Sequence, residues 1–127
     1  MVAALAAMSV AGCGRGNDTG NICVHDPPLT YDNYGRAYLD QYCNGCHSSL
    51  LPEGHRRNAP IGADFDTYEG VLIWVERLVV RATGDEPTMP PGGGPSPDEV
   101  SVFKEWLECQ VATDAAILAE QQGGGDR

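Results

Sequence analysis

The segment Tyr31-Asp32-Asn33-Tyr34-Gly35-Arg36-Ala37-Tyr38-Leu39-Asp40-Gln41-Tyr42-Cys43-Asn44-Gly45-Cys46-His47 joins an amphipathic helix to a cysteine pair and a histidine. Tyr34, Ala37, Tyr38 and Tyr42 share one helical stripe, and Gly35, Leu39 and Cys43 form a second at intervals of four. Thr30 stands where a cap belongs, so the pattern predicts a helix from Tyr31 to about Tyr42. The spacing of Cys43 and Cys46 at its end puts both sulfurs on one side.

Working outward, Ser48 to Phe65 is small, charged or turn-forming, with Pro52, Gly54, Pro60 and Gly62. A loop of this size inside a compact domain is usually functional or wrapped around something. A second helix is predicted from Asp66 or Thr67, where Asp66-Thr67-Tyr68-Glu69 resembles a capping box. Val71, Leu72, Val75, Leu78 and Val79 are its buried stripe, and Gly84 ends it. Thr83 to Pro95 is rich in proline and glycine and must be irregular; Met89 sits in its middle. Ser96-Pro97-Asp98-Glu99 then opens a third helix strongly. Val102, Phe103, Trp106 and Leu107 are its apolar face, and it runs on past Cys109 to about Gln121 before a glycine-rich tail. No segment alternates as a strand would. The expected fold is all-α and small, with about three main helices and long connecting loops.

Toward the other end, Met1 to Gly12 is apolar or small and uncharged, and is the expected remnant of a signal peptide. It is too short to span a bilayer. Val10-Ala11-Gly12-Cys13 resembles a bacterial lipobox, which makes Cys13 the candidate lipidation site and residues 13–29 a flexible tether. The basic region expected before such a run is missing. A lipid-anchored protein on the periplasmic side of a bacterial membrane is the expected localisation. The formal net charge of -10 argues against nucleic acid and favours a positively charged protein partner. From Asp85 to Asp126 there are nine carboxylates against Lys104 alone. The 127 residues fit one domain with tails, yet contain only 2 Phe and 2 Trp to fill a core.

Cys43-x-x-Cys46-His47 is the attachment pattern of a c-type haem, in which two thiols add to the vinyl groups and the histidine turns to the iron. A bound haem would supply the apolar body that the composition lacks. Two other chemistries use the same cysteine spacing. A thioredoxin-like redox pair needs strand–helix–strand patterning around it, which is absent. A zinc site needs two further ligands, and Cys23-Val24-His25 offers them, at the cost of leaving Cys109 and the Met89 loop unexplained.

From about Tyr31 to Cys109 the chain resembles the class I cytochromes c. Gly35-x-x-x-Leu39-x-x-x-Cys43 is similar to that family's first helix, whose glycine lets the last helix cross closely. Trp106 resembles the aromatic that packs over it, and Thr88-Met89-Pro90-Pro91 resembles the loop that supplies the sixth iron ligand. The resemblance implies a cytochrome c domain over 30–111, with residues 112–127 a helix extension and disordered tail. It implies one covalent haem c on Cys43 and Cys46, ligated axially by His47 and Met89. It further implies that the Pro60 carbonyl accepts from His47, and that Arg57 or Arg56 pairs with a haem propionate. Proteins of this haem-lipoprotein type resemble the chain in carrying one cysteine before the first helix and one after the tryptophan, which implies a Cys23–Cys109 disulfide; two free thiols are the alternative. His55 is a rival ligand and His25 is most simply exposed.

The implied function is a membrane-tethered single-electron carrier, not an enzyme, that meets redox partner proteins briefly. A five-coordinate haem enzyme or gas sensor is the first alternative, and a haem-free zinc lipoprotein the second.

Overall fold

Thr30 begins the first helix by a reciprocal cap. Its hydroxyl accepts the Asn33 N–H at 3.1 Å, and the Asn33 amide oxygen accepts the Thr30 N–H at 2.7 Å. In the computed structural model, which describes residues 21–124, the first turn is a wide π-helical one, Tyr31–Gly35. It runs directly into α1 (Arg36–Tyr42). The predicted signal remnant, Cys13 and residues 125–127 lie outside the described residues.

The second helix, α2 (Tyr68–Thr83), is capped by Thr67, whose hydroxyl accepts the Gly70 N–H at 3.2 Å. Asp66 does not share in that cap as expected. Its carboxylate instead accepts the N–H and hydroxyl of Ser49, at 2.8 and 2.6 Å, and so ties down the start of the long loop. These donors hold the Asp66 carboxyl below the ordinary range, although burial alone would push it up.

The last helix starts with the Ser96–Glu99 capping box and Pro97 at its first position, as predicted. It comprises α3 (Pro97–Trp106), a π-helical turn (Leu107–Val111) and α4 (Ala112–Gly123), continuous as one rod. The described residues are thus all-helical, with no strand among them.

Leu39, Val71, Phe103, Trp106, Leu107 and Val111 are fully buried where the three rods meet. Burying each such side chain is worth about 1.5–3 kcal/mol. Tyr38 stacks on Phe103 with ring centroids 4.0 Å apart, fastening α1 to α3. On α2 the buried positions are Val71, Val75, Leu78 and Ala82; Leu72 and Val79 pack against them from the side. At the crossing, the Trp106 indole sits on Gly35 so closely that a side-chain carbon there would overlap it. This is the close crossing that the glycine was expected to permit.

The tether expected to run to residue 29 is already fixed at Cys23. The sulfurs of Cys23 and Cys109 are at bonding distance, with Cα atoms 5.8 Å apart. Beside them, Glu105 is buried. One carboxylate oxygen accepts the N–H groups of Val24 and His25 at 2.8 and 2.9 Å, and the other meets His25 Nδ1 at 2.8 Å.

Candidate functional site

The end of α1 carries the cysteine motif into a bend. The Cys43 and Asn44 N–H groups both bond to the Leu39 carbonyl at 2.8 Å, closing the helix. The Cys46 and His47 N–H groups then return to the Cys43 carbonyl at 3.1 and 3.0 Å. Cys43, Cys46 and His47 are thereby brought to one cleft of about 590 Å³. That volume falls within the roughly 300–1,000 Å³ of small-molecule and cofactor sites.

His47 is oriented from two sides. Its Nδ1–H donates to the Ala63 carbonyl at 2.9 Å, which leaves Nε2 with a free lone pair. The ring also stacks on Phe65 at 4.8 Å, and the Phe65 N–H bonds to the His47 carbonyl at 2.8 Å. The long loop is therefore wound back onto the histidine. Its acceptor is the Ala63 carbonyl, which also accepts from Arg56 at 3.4 Å, and not the Pro60 carbonyl, which accepts from Arg56 at 2.9 Å and from the Ala63 N–H at 3.1 Å.

Arg56 is a structural hub of that loop. Its buried guanidinium reaches the Ser48, Ala59 and Pro60 carbonyls and pairs with the Asp64 carboxylate at 2.7 Å. The arginine left for an anionic ligand is its neighbour Arg57, which is exposed and borders the cleft, as does Pro60. Arg57 and Asn58 take left-handed backbone angles, φ 51 and 67, at the turn that separates their roles. His55 is exposed and does not border the cleft.

Met89 reaches the same cleft from the proline-rich segment, together with Pro90 and Pro91. The Thr88 and Met89 N–H groups both bond to the Arg81 carbonyl, at 2.8 and 3.0 Å. Met89 thus hangs from the last turn of α2. It is 39% exposed, and so is not serving as core filler.

Burial pushes the Cys43 thiol up to about 12, helped by the nearby Cys46. A thiol–disulfide exchange pair needs the reverse, a thiolate stabilised near neutral pH. The zinc alternative loses its extra ligands, since Cys23 is joined to Cys109 and His25 Nδ1 faces Glu105. Among the described residues no group of three or more His, Cys, Asp or Glu side chains is arranged to hold a metal ion.

Comparison with protein-family models, curated proteins and solved structures found no match.

One cleft wall was missed in the sequence. Trp74, Arg77, Leu78 and Arg81 of α2 line it, and the Trp74 indole N–H donates to the Gly62 carbonyl at 2.9 Å, pinning the loop. The signal was present: Trp74, Arg77 and Arg81 recur at three- and four-residue spacing beside the buried stripe, whose Leu78 also faces the cleft.

The cleft suits a haem on chemical grounds. Two thiols three residues apart, an imidazole with one nitrogen already committed, and a thioether all border a largely apolar space of cofactor size.

Proposed function

We propose that this chain carries one covalently attached haem c and acts as a single-electron carrier with a cytochrome c-like fold. The observation that carries the reading is that Cys43, Cys46, His47 and Met89, from two distant parts of the sequence, line one cleft. Bound haem would supply an iron that cycles between ferrous and ferric states.

The protein's own residues supply the rest. Cys43 and Cys46 would hold the ring through thioether bonds, and the bend after α1 keeps them on the same side. His47 would bind iron through Nε2, with Ala63 fixing the tautomer and Phe65 the tilt. Met89 would supply a second ligand to the iron, and an iron held by both His47 and Met89 would be suited to electron transfer rather than to substrate turnover. A thioether ligand and a mostly apolar cleft both favour the reduced state. Arg57 is the candidate partner for a propionate.

The Cys23–Cys109 pair supports an oxidising compartment and hence export. Anchoring through Cys13 and a periplasmic, membrane-tethered location complete the proposal. Partners would be redox proteins met briefly through salt-sensitive contacts.

The test is denaturing electrophoresis of protein made with haem-maturation machinery, followed by a haem peroxidase stain. A band at the chain's mass is expected in the wild type and absent in a Cys43→Ser, Cys46→Ser double variant. An unstained wild-type band would end the reading.

A further inference from the structure

His47 shares its acceptor with a buried cation. The Ala63 carbonyl that takes the His47 Nδ1–H at 2.9 Å is also reached by the Arg56 guanidinium, at 3.4 Å. The same guanidinium donates to the carbonyl of Ser48, the residue next to His47, at 2.5 Å. Arg56 therefore holds the chain on two sides of the histidine: the peptide that follows it and the peptide on which its ring rests. Neither Arg56 nor Asp64 borders the cleft, so whatever they do to its contents passes through His47 and its acceptor.

Burying a charge is costly unless it is paired and hydrogen-bonded. Arg56 is only 2% exposed, and Asp64 Oδ1 faces it at 2.7 Å. That oxygen accepts no hydrogen bond, so the pair is held by charge. The two partners are unequally buried, with side chains 3% and 22% exposed. A partly solvated carboxylate is better screened than a guanidinium shut away from water, so the field left at His47 is positive.

Two effects of that field have the same sign. A nearby cation disfavours the extra positive charge of ferric iron. By drawing on the Ala63 oxygen, it also weakens that oxygen as an acceptor for the Nδ1–H, so the imidazole gives less electron density to a metal on Nε2. Both favour the ferrous state.

We propose that Arg56 is a positioning residue that acts on His47 through the Ala63 carbonyl, and that the Arg56–Asp64 pair sets the reduction potential of the iron that His47 holds. This rests on the cleft holding haem, as proposed above.

The test compares purified holoprotein of the wild type, Arg56→Gln, Arg56→Lys and Asp64→Asn. Midpoint potentials are read by spectroelectrochemical titration, and the His47 ring N–H by proton NMR of the reduced protein. Arg56→Gln is expected to lower the ferrous-to-ferric ratio at a fixed potential about tenfold, a midpoint lower by about 59 mV for one electron. Its ring N–H should move downfield, as Ala63 becomes the better acceptor. Asp64→Asn removes the counter-charge, so its midpoint should rise and its ring N–H move upfield. Arg56→Lys keeps the charge and should lie closer to the wild type than Arg56→Gln does.

The opposite signs separate tuning from mere support. A loosened loop would admit water and lower the midpoint in both neutralised variants alike. Shifts of the same sign, or none in Asp64→Asn, would overturn the proposal while leaving the haem in place. If Arg56→Gln fails to fold, the sign in Asp64→Asn alone decides. Colourless wild-type protein ends the haem proposal and this one with it.

Discussion

The indole of Trp106 lies against the backbone of Gly35, so close that any side chain at position 35 would enter the ring. Gly35 has ordinary helical angles, φ -58 and ψ -45, and alanine would by propensity be the better residue there. Sterics outweigh that gain. Trp106 is wholly buried between Phe103, Tyr31 and Tyr34, with its N–H on Gln110 at 2.7 Å, and has nowhere to retreat. Gly35→Ala should lower stability by about 1–3 kcal/mol, read as a reduced urea midpoint. Unchanged or increased stability would mean that the two helices part without cost.

The Cys23–Cys109 link closes a long loop, its cysteines standing 86 positions apart in sequence. Its removal by a double Ser variant should cost about 2–5 kcal/mol. Unreduced peptide mass spectrometry should recover the two cysteines linked. Alkylation of both in the native protein would count against the bond.

Glu105 makes that region acid-sensitive. Burial would push its carboxyl up, but the amide and imidazole of His25 and the amide of Val24 outweigh burial and hold it below the usual glutamate value of 4.5. A carboxyl depressed in the folded state stabilises above its unfolded value, and that stabilisation is lost as pH falls through the folded value. Unfolding measured from neutral pH downward should therefore steepen below about pH 4.5 in the wild type. The steepening should be weaker in Glu105→Gln. Identical acid limbs in both proteins would remove Glu105 from the account.

Met89→Ala should leave haem attachment intact and open the iron. The reduced variant is expected to bind carbon monoxide readily, where the wild type does not. Ready binding by the wild type would favour a five-coordinate enzyme or sensor instead.

What could be read from the sequence was mostly local. Thr30 and Ser96 each cap their own helix with a residue three positions on, and such pairs need no tertiary knowledge. The helix stripes of Tyr34–Tyr42 and of Val71, Val75 and Leu78 were likewise periodic enough to assign. The convergence of Met89 on the cysteine motif was an expectation of family resemblance, since nothing local links positions so far apart. Where the reading missed, the reason was competition for partners within the loop. Pro60 was expected to receive His47, but its carbonyl accepts from Arg56 and from the Ala63 N–H, and His47 instead shares the Ala63 carbonyl with Arg56. Asp66 could cap α2 or bind Ser49, and the long loop's return decided the matter. Trp74 stands at helical spacing beside the buried stripe, but the role of that flank is set by the loop that arrives there, whose Gly62 carbonyl takes its N–H.

The visible absorption spectrum of the purified protein, produced in a host with haem-maturation machinery, tests the central claim most directly. A red protein with c-type haem bands that survive denaturation, and a methionine–ferric charge-transfer band that vanishes in Met89→Ala, is the expected result. A colourless, correctly folded protein would contradict it.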